Sequence, residues 1–173
     1  MKNILYISYD GICEPLGISQ SLSYLEKLSK EFKIHIISFE KKKEISNYKN
    51  FNLIKERLEK AGISYSFLRY HINSNPLAKF YDILNGILIT LFLTRKLEIN
   101  IIHVRSYIPG LIALPSKIIF NPKFLFDIRG FWADERVDGG LWSRNSLIYF
   151  LVKTLEKILF LKSDHIVTLT EAS

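Results

Sequence analysis

The sequence predicts an α/β fold: a doubly wound, all-parallel sheet of about six strands with helices on both faces. Three observations carry that expectation. Short apolar, β-branched runs alternate with longer helical patterns through all 173 residues. Most of these runs are apolar nearly throughout, as strands covered on both faces must be. The order is strand then helix, repeated, and right-handed crossovers turn such a chain into one parallel sheet.

The elements follow in order. NILYIS at Asn3–Ser8 is the first strand. The turn DGICEPLGISQ (10–20) leads from it into a helix over 19–31, with Leu22, Leu25, Leu28 and Phe32 at three-to-four spacing. A second strand at 33–39 precedes a helix over 45–61 that carries Phe51, Ile54, Leu58 and Ala61 on one face. Gly62 ends that helix as a left-handed terminator. A third strand at 64–68 leads to a helix over 76–97. Pro76 suits its first position, and Leu77, Phe80, Leu84, Leu88 and Leu91 are expected to face inward. A fourth strand at 100–104 and SYIPG precede a helix over 111–120, and a fifth strand follows at 123–128. The fifth helix, 144–161, is expected to bury Leu147, Leu151, Leu155, Ile158 and Leu161, leaving Lys153, Glu156 and Lys157 outside. A sixth strand at 165–169 is followed by little more than EAS, so the sequence reads as cut rather than concluded. The segment RGFWADERVDGGLWSR (129–144) reads as a long polar-aromatic loop. Loops of that length in compact domains are functional or disordered, and two Trp and a Phe argue against disorder.

Composition bounds what such a sheet could serve. Hydrophobic residues make up 48% of the chain, enough for one well-buried domain, and the length is too small for two large ones. The net charge of +7 invites an anionic partner, yet Lys and Arg are dispersed. Residues 1–60 carry 11 of them against 8 acids, and residues 61–173 carry 13 against 9. A nucleic-acid binder concentrates its charge on one face and often presents aromatics on a strand face, so no nucleic-acid partner is expected. A phosphorylated ligand or an anionic membrane surface suits the charge better.

The single cysteine, Cys13, excludes an internal disulfide framework and fits a reducing, cytoplasmic setting. It reads as a small spacer rather than a nucleophile, because no paired base is marked. The apolar part of MKNILYIS is too short for a signal peptide. The most membrane-like stretch, ILNGILITLFL (83–93), is shorter than the roughly 20 residues a span needs, so a buried helix is expected. His35, His71 and His165 lack ligand spacing, so no metal site is expected. No Walker sequence occurs, and Ser106 lacks the flanking Gly pattern of a nucleophile elbow.

A doubly wound sheet takes ligands at the C-terminal ends of its strands, near the switch in strand order, which is expected between the first and fourth strands. Three stretches converge there: YDGICEPLGISQ, HVRSY (103–107) and DIRGFWADE (127–135). Arg105 and Arg129, beside a Gly turn and a helix N-terminus, suit an anion site. Each Arg alone would equally suit a solvated charge or a partner for Asp127, Asp134 or Glu135. His103 suits an acid–base group or a hydrogen-bonded core histidine.

These motifs together resemble a family. ILYISYDGICEPLGISQSLSYLEKLSK, HIISFEKK, IIHVRSYIPG, FLFDIRGFWADERVDGGLW and DHIVTLTEAS look like the N-terminal domain of a bacterial glycosyltransferase of family 4, with the GT-B architecture. The resemblance covers nearly the whole chain, and its most specific parts are the opening turn and the DIRGFWADE loop. It implies a Rossmann-like domain (1–173) that mainly receives the acceptor across a cleft. A second, C-terminal domain, absent from this chain, would hold most of a nucleoside-diphosphate-sugar donor. This half alone would not transfer sugar.

The resemblance also assigns roles. Gly17 matches a Gly that lets backbone approach the donor phosphate or sugar, although Leu16 stands where many relatives have a second Gly. Ser19 and Gln20 match positions that open the first helix on the acceptor side. Arg129 falls where relatives place a cleft His or Arg; an Arg is no base, so charge binding is its expected role. Asp134 and Glu135 follow on the same loop, and His103, Arg105 and Ser106 match the rim after the fourth strand. The implied chemistry is retaining transfer to a glycan or lipid-linked acceptor in surface-polysaccharide assembly. It needs no cofactor and suits peripheral contact with the inner face of an anionic membrane. A GT-B sugar-nucleotide epimerase half and a stand-alone flavodoxin-like binding module are the competing readings.

Overall fold

The computed structural model describes residues 1–71 and 76–168. Six strands form one sheet: β1 Asn3–Ser8, β2 Lys33–Lys41, β3 Ser64–Tyr70, β4 Ile101–Arg105, β5 Lys123–Asp127 and β6 His165–Val167. Their order is β3-β2-β1-β4-β5-β6, and every neighbouring pair is parallel. The chain therefore winds outward from β1 in both directions, with the switch between β1 and β4, as expected. Leu169, the expected last residue of β6, and the EAS tail lie outside the described residues.

The central strands are apolar because both faces are covered. One face packs Tyr6, Ile34 and Ile36 against the helix after β1, completed by α2 (Ser23–Leu28), and against α4 (Tyr48–Lys60), which contributes Phe51, Ile54 and Leu58. The other packs Leu5, Ile7, Phe39, Val104 and Phe126 beneath α5 (Pro76–Lys96), α6 (Tyr107–Phe120) and α8 (Leu147–Lys162). Gly62 adopts φ +68 after α4, and the Ile63 amide reaches back 2.9 Å to the Leu58 carbonyl, the terminator the sequence suggests.

Several boundaries move. The helix after β1 starts at Pro15, not 19, because Pro fits a first helical position. It runs through α1 (Pro15–Gly17), a π-helical segment (Ile18–Leu22) and α2, which ends at Leu28. β2 extends to Lys41, and a short α3 (Lys42–Ser46) precedes α4. α6 begins at Tyr107 rather than 111; Pro109 sits in its first turn, where a missing N–H costs no helical bond. The expected loop 129–144 contains α7 (Trp132–Asp138), with Trp132 and Trp142 rings 5.3 Å apart.

Two helices face differently from expectation. In α5, Leu77, Phe80, Leu84 and Leu88 are exposed, and Asp82, Gly86, Thr90, Leu93 and Thr94 are buried. In α8, Leu147, Leu151, Ile158 and Leu161 are exposed, while Glu156 is buried at 4% exposure beside Leu159. The physical reason is pairing. Asp82 Oδ2 accepts from the His71 amide (3.0 Å), and its Oδ1 lies 2.5 Å from His71 Nδ1. Glu156 accepts from Lys153 and from the Tyr107 hydroxyl (2.6 Å). Buried carboxylates with partners turn these faces inward.

Asp164 ties the end of α6 to the start of β5. Its carboxylate meets Lys117 and Lys123, each at 2.8 Å, and accepts from the Phe124 amide at 2.9 Å. The Lys117 and Lys123 bonds hold its carboxyl far below the usual carboxylate range. Its stabilising effect is therefore complete above the unfolded value, near pH 4, and fades as pH falls through the lower folded value. Asp164→Asn is expected to cost roughly 1 kcal/mol at pH 7 after allowance for solvent screening. Parent and variant denaturation midpoints should converge as pH falls below about 4.

Candidate functional site

The sheet register puts three polar residues side by side at the carboxyl rim: Ser8 on β1 beside Arg105 on β4, and Arg105 beside Asp127 on β5. Arg105 is only 8% exposed. Its Nη2 donates to Gln20 Oε1 at 2.5 Å and its Nη1 to Ser21 Oγ, which also accepts from the Tyr6 hydroxyl at 2.9 Å. Arg129 Nη2 donates to the same Gln20 oxygen at 3.0 Å, and its Nη1 lies 3.6 Å from Asp127 Oδ1. One amide oxygen thus gathers the guanidinium at the end of β4 and the one just beyond β5. Gln20 and Ser21 belong to the π-helical segment, and such segments recur at functional sites. Burial pushes the Asp127 carboxyl upward, and the charges of Arg129 and Arg105 oppose that shift.

Next to this cluster lies a pocket of about 270 Å³. Tyr9 and Asp10 line it after β1, Arg105 to Pro109 at the β4–α6 junction, and Arg129, Gly130, Trp132 and Glu135 after β5. The junction is abrupt because Ser106 takes φ 73, ψ −179, a conformation rare for any residue with a side chain. Its amide bonds the Asp127 carbonyl at 2.9 Å. That turn starts α6 at the pocket wall, where the first-turn amides of Tyr107 and Ile108 add partial positive charge. The Tyr107 hydroxyl donates to Glu156 and lies 3.1 Å from the Gly130 carbonyl, linking the β5 loop to α8. Burial, above all, raises the Tyr107 phenol beyond its ordinary range.

The residues singled out in the sequence divide accordingly. Arg105, Ser106, Arg129 and Glu135 line the pocket, and Gln20 holds its two arginines. Gly17 borders a smaller cavity of about 170 Å³ with Asp10, Gly11 and Arg105. The space a Gly17 Cβ would need is filled by the protein's own Gly11 carbonyl and Ile12 backbone. Its close approach is thus between loop and helix. Ser19 is exposed, and its hydroxyl reaches back to the Leu16 carbonyl at 3.4 Å. Asp134 turns to α8, accepting from Tyr149 (2.8 Å) and Lys153 (3.0 Å). Tyr9, Asp10, Tyr107 and Trp132 lie in the three stretches the sequence placed at the rim, without a role of their own; Ser21 and Glu156 are the site residues that sequence reasoning missed. Adjacency to Gln20 was the available signal for Ser21; Glu156 offered none.

His103 does not line the pocket. It packs edge-on to Tyr6 (5.0 Å between centroids) and stacks on Tyr24 (6.1 Å), and its buried Nε2 has no hydrogen-bond partner among the described residues. Burial first, then the charge of Arg105, pushes its imidazole down to about 4. The unfolded chain therefore binds a proton that the folded one refuses between about pH 6.5 and 4, and stability falls with acidification across that window. His103→Phe is expected to remove that slope, up to about 3 kcal/mol at the acid end; unfolding free energies from pH 7 to 4 would read it. Burial also pushes the Cys13 thiol up to about 12, consistent with a spacer.

No family model matches the chain, and no curated protein matches it in sequence. Solved structures match it in fold. A glycosyltransferase from Rickettsia africae ESF-5 aligns at TM-score 0.52 and 19% identity over 97% of this chain. Sucrose-phosphate synthase from Thermosynechococcus elongatus aligns at 0.61 and 10% over 96%. A putative UDP-N-acetylglucosamine 2-epimerase from Listeria monocytogenes aligns at 0.58 and 12% over 99%. The fold is one Rossmann-like half of the GT-B architecture. The chain spans about two fifths of the length of these three proteins, 42%, 42% and 40% respectively. In this Rossmann-like fold the pocket sits at the strand switch, where open α/β sheets receive ligands. Transferases and an epimerase share the fold, so function has to be argued from the pocket.

Proposed function

We propose that this GT-B half-domain is the acceptor side of a retaining, family 4 bacterial glycosyltransferase. It would pass a sugar from a nucleoside-diphosphate sugar to a glycan or lipid-linked acceptor in surface-polysaccharide synthesis. A C-terminal domain would hold most of the donor, and the protein would act in the cytoplasm at the inner face of the membrane. The observation that carries this reading is the pair Arg105 and Arg129, joined through Gln20 beside the pocket at the strand switch.

The chemistry follows from charge. Breaking the glycosidic bond to a diphosphate passes through an oxocarbenium-like state while negative charge grows on the leaving group. Arg129, part-exposed and at the pocket wall, is placed to meet that charge, and as an Arg it can donate hydrogen bonds but not take a proton. Arg105 is buried and held by Gln20 and Ser21, so it supplies a fixed charge with little reorganisation. The α6 N-terminus adds its dipole on the same side. Asp10 and Glu135 at the wall suit hydroxyl groups of an acceptor sugar. An epimerase half shares this fold and would need acidic and His residues for proton abstraction at these strand ends; Asp10 and Glu135 would suit it, but the rim joins two arginines and its strand histidine, His103, is enclosed by Tyr6 and Tyr24.

The test joins this domain to a donor-binding domain and supplies a panel of nucleoside-diphosphate sugars, with and without glycan acceptors. Acceptor-dependent release of nucleoside diphosphate, with the anomeric configuration of the product retained by NMR, is the expected result. Deuterium exchange at sugar C2 without transfer would overturn this reading in favour of the epimerase.

A further inference from the structure

Helix α5 carries its apolar side outward. Its buried positions are mainly small or polar, Asp82, Gly86, Thr90 and Thr94 with Leu93. Its outer positions Phe80, Tyr81, Leu84, Leu88 and Phe92 are between 44% and 65% exposed. At helical spacing these five fall in one stripe about 120° wide. A helix facing water orders its residues the other way. Helix α8 repeats the pattern: Leu147, Phe150, Leu151 and Leu161 are between 57% and 73% exposed, and Glu156 is buried. Helix α6 packs against both, so the two stripes belong to one helical layer on the side away from the sheet.

The charges on this layer have one sign. The exposed ionisable residues of the two helices are Lys79, Arg95, Lys96, Lys157 and Lys162. Their acids, Asp82 and Glu156, are 1% and 4% exposed and bonded to His71 and Lys153. Lys96 Nζ lies 5.3 Å from the Phe92 ring, its stem along apolar surface and its charge at the border. A second copy meeting this face would set like charges against like. A layer of anionic headgroups over acyl chains complements both its apolar stripes and its cations.

We infer that the outer faces of α5 and α8 form an interfacial docking surface for an anionic lipid bilayer, with both helices lying in the headgroup plane. By length and composition alone α5 would also pass for a membrane-crossing helix. It lies on the surface instead, because Asp82, bonded to His71 and Tyr9, and the packing on α6 hold it to the sheet. The inference deepens the lipid-linked acceptor proposed above and rests on that reading for its purpose; its physical case stands on the two helices.

The test is co-sedimentation of the purified protein with vesicles of phosphatidylglycerol and phosphatidylcholine, and with phosphatidylcholine vesicles alone. Binding to the anionic vesicles, weakened by high salt, is expected. The double variant Leu84→Glu/Leu88→Glu should lower the partition coefficient at least roughly ten-fold, and Arg95→Glu/Lys96→Glu should lower it on anionic vesicles. All four positions are exposed, so circular dichroism and melting temperature should match the parent. No partitioning, or partitioning unchanged by both variants, would overturn the inference. So would a dimer in light scattering that the Leu variants dissociate, which would assign the face to a second copy. Transfer to a water-soluble acceptor separates the two readings. With the chain joined to a donor-binding domain, transfer should survive the Leu variants, whereas vesicle binding by that joined protein without any transfer would remove the transferase reading and leave the surface.

Discussion

Arg129→Ala is expected to lower kcat for sugar transfer about 10²–10³-fold, the usual loss when one preorganised donor to developing charge is removed. The effect belongs in kcat, because diphosphate charge grows chiefly in the transition state. The fold should persist. The Arg129 side chain is 29% exposed, and its partner Gln20 keeps its bond to Arg105. Loss of the ion pair with Asp127 is expected to cost no more than about 1 kcal/mol. Arg129→Lys keeps the charge without the planar fork and should recover only part of the rate. Steady-state kinetics beside thermal melts read both effects. Unchanged turnover in Arg129→Ala would reject the site.

Gly17→Ala is expected to destabilise the domain by about 2–3 kcal/mol, a drop of roughly 5–10 °C in melting temperature for a chain of this size. Backbone conformation is not the cause, since Gly17 sits at φ −62, ψ −44, where alanine is comfortable. The added Cβ would lie 2.6 Å from Ile12 Cα and overlap the Gly11 carbonyl. Neither backbone can yield easily. The Ile12 amide is tied to Glu40 Oε1 at 2.9 Å, and that buried oxygen also accepts from Ser38 and Tyr65. Calorimetry or denaturant titration with an unchanged m-value measures the loss. A melting temperature within a degree of the parent would contradict the packing account.

The central strands were legible because two-sided burial writes itself as near-continuous Ile, Leu, Val and Phe, whereas the edge strands β3 and β6 are half-buried to exposed and showed mainly by their place in the strand–helix alternation. The place of the rim followed from topology: with β4 between β1 and β5 their carboxyl ends fall together, and the register then sets Ser8, Arg105 and Asp127 side by side. The orientation of α5 and α8 was not legible. Periodicity tells which residues share a face, but the face buried depends on what meets it, and Asp82 and Glu156 are buried only because distant His71, Tyr107 and Lys153 receive them. The same limit hid the turn of Asp134 toward Tyr149 and Lys153. It also hid the role of Gln20, since both arginines lie more than eighty residues away.

Hydrogen exchange read by mass spectrometry, on this domain joined to a donor-binding domain and saturated with donor and acceptor, tests the central claim most directly. Protection is expected in peptides covering 9–20, 105–110 and 129–135, which hold the turn after β1, the β4–α6 junction and the loop after β5. Protection confined to other surfaces, with those three segments unchanged, would contradict the assignment of the rim pocket as the site of sugar transfer.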